Sequence, residues 1–157
     1  DLPILGVPSG LVGGGNISVV AGGNITLGSN GSFGGAIRTT GNVILGNAST
    51  DAITGGASSV IQANTLTTRS SAGTSLNGTS NAVSVLSATN TGVGNLSFTN
   101  TLPMTLGAGA SLTNSAPGGG IAVTVLGATN DLTVSNTVSG TGAIDLTAGR
   151  EIGRAHV

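Results

Sequence analysis

Four near copies of one five-residue unit punctuate this chain: Gly15-Asn16-Ile17-Ser18-Val19, Gly23-Asn24-Ile25-Thr26-Leu27, Gly41-Asn42-Val43-Ile44-Leu45 and Gly94-Asn95-Leu96-Ser97-Phe98. Gly142-Ala143-Ile144-Asp145-Leu146 is a looser version. A Gly-Asn pair followed by apolar-polar-apolar reads as a corner and then a short strand with one buried face. Its recurrence implies one small element stacked on itself, because a single copy cannot bury its apolar side alone. Gly and Asn both tolerate left-handed backbone, so each pair is predicted to turn the chain before the next strand. Gly15, Asn16, Gly23, Asn24, Gly41, Asn42, Gly94 and Asn95 are therefore the predicted repeat corners. Asparagines stacked there are expected to form side-chain amide ladders between coils.

The same period-two alternation recurs at Leu66-Thr67, Val83-Ser84-Val85, Ile121-Ala122-Val123-Thr124-Val125 and Leu132-Thr133-Val134. No stretch holds a helical i, i+3, i+4, i+7 pattern over ten residues without a Gly or Asn breaking it. The chain is predicted to be all-β. Bursts spaced about 8–12 residues apart suit a sandwich or barrel as well as a solenoid; the repeated unit favours the solenoid. A parallel β-helix also suits the side chains, since its narrow core is filled by aliphatic residues stacked on like residues. At roughly 20–27 residues per coil the chain makes about six to eight coils. A stack of that size is about 30–40 Å long.

Gly, Thr, Ser and Asn make up 53% of the 157 residues, with no Lys, Cys, Trp or Tyr and one His. Disorder does not follow, because Leu, Val, Ile and Phe still reach 26% and mean hydropathy is +0.38, above the roughly 20% at which chains fail to bury a core. Charged residues are only 6% and the net charge is −1. Four arginines build no basic patch for nucleic acid. Ligands for zinc, haem or iron–sulfur sites are missing, a disulfide framework is impossible, and no cofactor is expected. No run of about 18 apolar residues predicts a membrane span.

General acid–base catalysis would need titratable groups brought together. The candidates are Asp51, Asp131 and Asp145, with Arg38 and Arg69 as electrostatic partners, and their wide separation favours solvated positions. A Ser-His-Asp triad would have to recruit His156. Gly140–Asp145 is one imperfect echo of a calcium-binding repeat, and Gly13–Gly15 and Gly118–Gly120 read as loops rather than phosphate cradles. Six Asn-x-Ser/Thr sequons begin at Asn16, Asn24, Asn30, Asn47, Asn77 and Asn95; three of them fall out of the repeat unit automatically, which favours coincidence over glycosylation. Thr-x-Thr pairs such as Thr65-x-Thr67 are too irregular for an ice-matching lattice.

Residues 1–149 are read as β-helix repeat, an uncapped slice of a longer solenoid, and 150–157 as a tail. Glu151-Ile152-Gly153-Arg154-Ala155-His156-Val157 departs from the Gly/Asn/Thr style and resembles the translation of a common sequencing adapter, so it is expected to be an artefact.

Gly15–Leu27 and Ala143-Ile144-Asp145-Leu146-Thr147-Ala148-Gly149 resemble the repeats of filamentous-haemagglutinin-type adhesins, exported by two-partner secretion, and of related β-strand-repeat autotransporters. The resemblance covers most of residues 15–149 and is one of repeat grammar. It implies a right-handed parallel β-helix shaft at the bacterial cell surface, without catalytic residues. Its partners would be the rest of its own solenoid, an outer-membrane secretion pore, and a host or surface glycan or protein. The alternatives are a fragment of a β-helical glycan-processing enzyme and a self-assembling surface-layer or amyloid-like component.

Overall fold

The computed structural model describes residues 2–4, 11–30 and 33–154, with side-chain surroundings described for residues 11–28 and 35–153. Twenty strands, β1 to β20 in chain order, are present among these residues, and no helix. Every pairing but one is parallel. The strands wind as a β-solenoid of about six turns with three faces.

The first face stacks β1 (Leu2–Ile4), β4 (Ile25–Leu27), β9 (Ile53–Gly55), β11 (Thr74–Leu76), β13 (Leu96–Asn100), β16 (Ile121–Val125) and β19 (Ile144–Thr147). The second begins with β2 (Leu11–Gly13) and β7 (Ala36–Thr39) and ends with β14 (Met104–Leu106), β17 (Leu132–Val134) and β20 (Ile152–Arg154). The third carries β3 (Ile17–Val19), β8 (Asn42–Leu45), β15 (Leu112–Asn114) and β18 (Val138–Gly140). Two long strands, β10 (Val60–Ser70) and β12 (Ala82–Asn90), belong to both the second and third faces. A two-stranded antiparallel hairpin, β5 (Ser29–Asn30) with β6 (Phe33–Gly34), leaves the stack between its first and second faces.

Register sets the coil length. On the first face Leu2, Ile25, Ile53, Thr74, Leu96, Ile121 and Ile144 lie one above another, steps of 23, 28, 21, 22, 25 and 23 residues. On the other faces Leu66, Leu86 and Leu106 are 20 apart, whereas Leu106 to Val134 takes 28. The surplus falls at corners, so the core column is undisturbed. Six steps of about 4.8 Å span about 29 Å.

Alternation does the sorting into core and surface. In β13 the pattern runs buried, half-buried, buried: Leu96, Phe98 and Asn100 point in while Ser97 and Thr99 point out. β10 changes phase part-way: Ile61 and Ala63 are buried, then Leu66, Thr68 and Ser70, with the slip at Asn64–Thr65. A period-two strand cannot change phase and stay flat, so this slip is the corner between the second and third faces. β12 does the same between Val83 and Leu86. The core is a single column of Ile, Leu, Val and Ala with one Phe and one Met, Phe98 and Met104 being 4% and 2% exposed. Phe98 fits because the column offers it the smaller Leu76 and Val123 as stacking neighbours.

Ile152–Arg154, which the change of style at residue 151 sets apart from the repeat, lies parallel to Leu132–Val134 on the second face. Ala155–Val157, including His156, lie outside the described residues.

Candidate functional site

The chemistry of this chain is concentrated in its asparagines, and they divide by the side of the strand they occupy. Those of the Gly-Asn units sit just before or at the start of a strand, and all four are exposed: Asn16, Asn24, Asn42 and Asn95. Three of them tie their coil to the next through the amide oxygen. Asn16 Oδ1 accepts from Asn42 N–H (2.9 Å), Asn24 Oδ1 from Ala52 N–H (3.0 Å) and Asn95 Oδ1 from Gly120 N–H (2.9 Å). At a corner the backbone loses its ladder partner, and the side chain supplies the missing acceptor.

The expected amide ladder exists, but other asparagines form it. Asn90 and Asn114, 0% and 1% exposed, stack one coil apart in register. Asn90 Nδ2 donates to Asn114 Oδ1 (3.0 Å) and to the carbonyls of Val93 (2.8 Å) and Gly94 (3.2 Å). Its Oδ1 accepts from Gly73 N–H (3.0 Å). Asn114 Nδ2 in turn donates to the Gly94 and Gly120 carbonyls. At the corner between the first and second faces, buried Asn100 takes Val83 N–H (2.9 Å) on Oδ1 and returns Nδ2 to the Val83 carbonyl (2.8 Å), imitating a strand neighbour. Asn81 bridges three coils, from Ile61 N–H through its own coil to the Thr99 carbonyl.

The Gly-Asn units do not make this ladder because the residue before an inward apolar position must face out. A strand's last inward position, where the chain turns, is where an amide can be buried with every hydrogen bond met. The signal was present in the sequence as apolar-Thr-Asn followed by Thr or Ser: Ala88-Thr89-Asn90-Thr91, Phe98-Thr99-Asn100-Thr101 and Leu112-Thr113-Asn114-Ser115.

The corner glycines differ: a Cβ on Gly15 would meet nothing, whereas one on Gly41 or Gly94 would press on the backbone of the adjacent coil. Of Gly15, Gly23, Gly41 and Gly94, only Gly94 has left-handed backbone, at φ +86°. No non-glycine among the described residues does. A Cβ on Gly41 would lie 2.7 Å from the carbonyl of Gly15 in the adjacent coil, so close stacking, rather than turn geometry, excludes side chains there.

The acidic candidates do not converge. Asp51 is exposed at the corner before the first face, and Asp131 is half-buried at the corner before the second, several coils away. Asp145 is exposed on the outside of the first face beside Ala122. Arg38 lies on the second face and Arg69 on the third. The one ion pair among the described residues joins Asp131 to Arg150 in the next coil: Arg150 Nε donates to Oδ1 (2.7 Å) and its terminal nitrogen to Oδ2. That hydrogen bond lowers the Asp131 carboxyl from its ordinary value, opposed by desolvation and aided to a lesser degree by the positive charge and the Glu151 backbone. Arg150 is raised by the same contact. No group of three or more metal-ligating side chains occurs among the described residues, and no described helix is long and apolar enough to cross a membrane.

Two shallow depressions lie on the outside of the first face, of about 390 and 290 Å³. Both are walled by Asn95 and Ser97; small neighbours such as Thr54, Ser75 and Ala122 leave them open. Asp145 borders the larger one.

No protein-family profile matches the sequence, and no similar curated protein or solved structure is found.

Proposed function

We propose that this chain is a shaft segment of a large secreted or surface-displayed bacterial adhesin of the filamentous-haemagglutinin kind. Its task is mechanical and non-catalytic: stacked coils extend a rod that holds binding regions away from the cell. The observation that carries this reading is the unbroken core column, in which six successive turns keep register on the first face despite steps of 21 to 28 residues. A fold whose contacts run between neighbouring coils forms turn by turn, which suits a polypeptide that crosses an outer membrane unfolded and folds outside. The scattered placement of Asp51, Asp131 and Asp145 favours this reading over a glycan-processing enzyme. In this reading the partners are the rest of the same solenoid, an outer-membrane pore during export, and a host or surface glycan or protein at the regions the shaft presents.

The test is immunogold labelling of the producing bacterium with antibodies raised against this segment. Labelling of thin rods on intact cells is expected. Labelling that appears only after permeabilisation would overturn the proposal.

A further inference from the structure

The outside of the first face carries a spacing that the core does not share. Thr54, Ser75, Ser97, Ala122 and Asp145 lie one above another there, in successive coils. One depression opens over the Ser75 coil, between Thr54 and Ser97, and the other over the Ala122 coil, between Ser97 and Asp145. Asn95 and Ser97 form the ridge between them. The two hollows are therefore two coils apart, about 9.6 Å along the solenoid axis. Small residues floor them, Ala72 and Gly73 in one and Gly120 and Ala143 in the other.

The ridge is one-sided in its hydrogen bonding. Asn95 Oδ1 is held by Gly120 N–H (2.9 Å), and Nδ2 donates to nothing among the described residues. An amide pinned by its oxygen presents its nitrogen in a fixed direction, and Asn95 is exposed. Ser97 Oγ accepts from Asn77 Nδ2 (2.9 Å), which leaves its hydroxyl hydrogen free to donate. The ridge thus offers two donors whose companion acceptors are already in use, and it suits a ligand rich in acceptors and poor in donors. Asp145, the one charged side chain bordering either hollow among the described residues, adds a seat for a cation at one end.

Spacing and chemistry select among peptide conformations. Side chains on one side of a β-strand recur every 6.7 Å or so, about two residues of rise, and those on one side of an α-helix about every 5.4 Å. A polyproline II helix, with three residues per turn, repeats at about 9.3 Å, close to two coils. Its carbonyls are all free, and where it is built of proline it has no N–H to satisfy. We infer that the outside of the first face, from Thr54 to Asp145, is a docking groove for a proline-rich segment of another protein. The segment lies along the solenoid axis as a polyproline II helix, with a basic residue at the Asp145 end. Two proline rings three residues apart enter the two hollows, and a carbonyl between them accepts from Asn95 Nδ2 and Ser97 Oγ. A linear glycan fits less well, because its hydroxyls must donate as well as accept and the ridge has its acceptors in use. The docking does not depend on the shaft role.

The experiment titrates the whole chain into fluorescein-labelled decaproline carrying one arginine at its N-terminal or its C-terminal end, read by fluorescence anisotropy. The hollows have none of the aromatic walls that polyproline grooves commonly use, so a Kd of about 0.1 mM is expected for at least one of the two peptides. Asn95→Asp exchanges the donor for a second acceptor while keeping the oxygen that holds Gly120 N–H. Ala122→Leu fills the second hollow from an exposed position. Each should weaken binding by about tenfold with the thermal midpoint unchanged. Asp145→Asn should abolish the advantage of the arginine peptide over plain decaproline. No saturation up to about 2 mM, or equal binding by a glycine–serine peptide of the same length and charge, would overturn the inference. So would an affinity that neither Asn95→Asp nor Ala122→Leu changes, or binding of a linear hexasaccharide of β-1,4-linked N-acetylglucosamine in place of the peptide.

Discussion

Replacing Asn90 by alanine tests the idea that inward asparagines hold the coils together. The side chain is fully buried, and five protein groups bond to it, of which Ser70 Oγ, at 3.4 Å, keeps Thr74 Oγ1 as a second partner. Gly73 N–H, itself buried, loses its acceptor and has no solvent to turn to. The Val93 carbonyl loses its 2.8 Å donor, whereas the Gly94 carbonyl retains Asn114 Nδ2 and Asn114 Oδ1 retains Ala116 N–H. One buried donor left unmet costs about 1–3 kcal/mol, and each further net hydrogen bond lost costs about 1 kcal/mol. The sum is about 4 kcal/mol, a large part of the roughly 5–15 kcal/mol that holds a domain folded. With no Trp or Tyr, unfolding is followed by far-ultraviolet circular dichroism in urea. At about 2 kcal/mol per molar urea, the midpoint should fall by about 2 M. Asn42→Ala is the matched control: Asn42 is exposed and its side chain makes no hydrogen bond among the described residues, so the change should stay within about 0.5 kcal/mol. A loss below about 1 kcal/mol for Asn90→Ala, or equal losses for the two variants, would refute the division into inward ties and outward corners.

Thr68 Oγ1 is buried without a partner, beside a small core cavity also lined by Leu86 and Ala88. Thr68→Val removes the unmet hydroxyl at nearly constant shape and should stabilise by about 1 kcal/mol in the same denaturation assay; destabilisation would show that the hydroxyl is satisfied in solution. Gly94→Ala combines left-handed backbone with a Cβ 2.7 Å from the Ala72 carbonyl, and should cost about 3 kcal/mol, whereas Gly109, at φ +85° with open space around it, should cost about 1 kcal/mol. Comparable thermal shifts for the two would mean that inter-coil spacing is not the constraint. For the Asp131–Arg150 pair, the lowered Asp131 pKa means its stabilisation is complete above the unfolded carboxylate value of about 3.9 and is lost as pH falls through the lower folded value. Asp131→Asn should remove that acid-dependent change in hydrogen exchange at Leu132, which bonds Glu151, and an unchanged profile would show that the ion pair does not hold the coil.

Much of the fold is legible in the sequence where alternation is clean. Ile17–Val19, Ile25–Leu27, Ile121–Val125 and Leu132–Val134 are strands with the bounds their patterns suggest. Thr74–Leu76 escapes because its first inward side chain is a threonine, whose hydroxyl lies 3.2 Å from Ser70 Oγ in the core. β10 and β12 are longer than the short bursts at Leu66-Thr67 and Val83-Ser84-Val85, since a phase slip at a corner reads as an end rather than a bend. The inward asparagines share an apolar-Thr-Asn context in the sequence, but away from its partners an Asn looks like a turn residue, and only the neighbouring coil shows that its amide is fully bonded. The acids Asp51, Asp131 and Asp145, distant in sequence, remain distant in space because solenoid contacts connect residues about one coil apart.

The 20- and 28-residue turns that sit side by side carry a lesson about how such a chain can change. Residues on a face are measured by the strands above and below, so losing one there would flip a whole column inside out. Corner residues outside the asparagine ties and the stacked glycines are measured mainly by the need to close the loop, and doubling a loop's length costs only about 0.6 kcal/mol. Two rates of variation are thus written into one repeat. The faces preserve their spelling, while the corners are free to lengthen, to sprout hairpins such as β5–β6, and to acquire new surface chemistry without consulting the core.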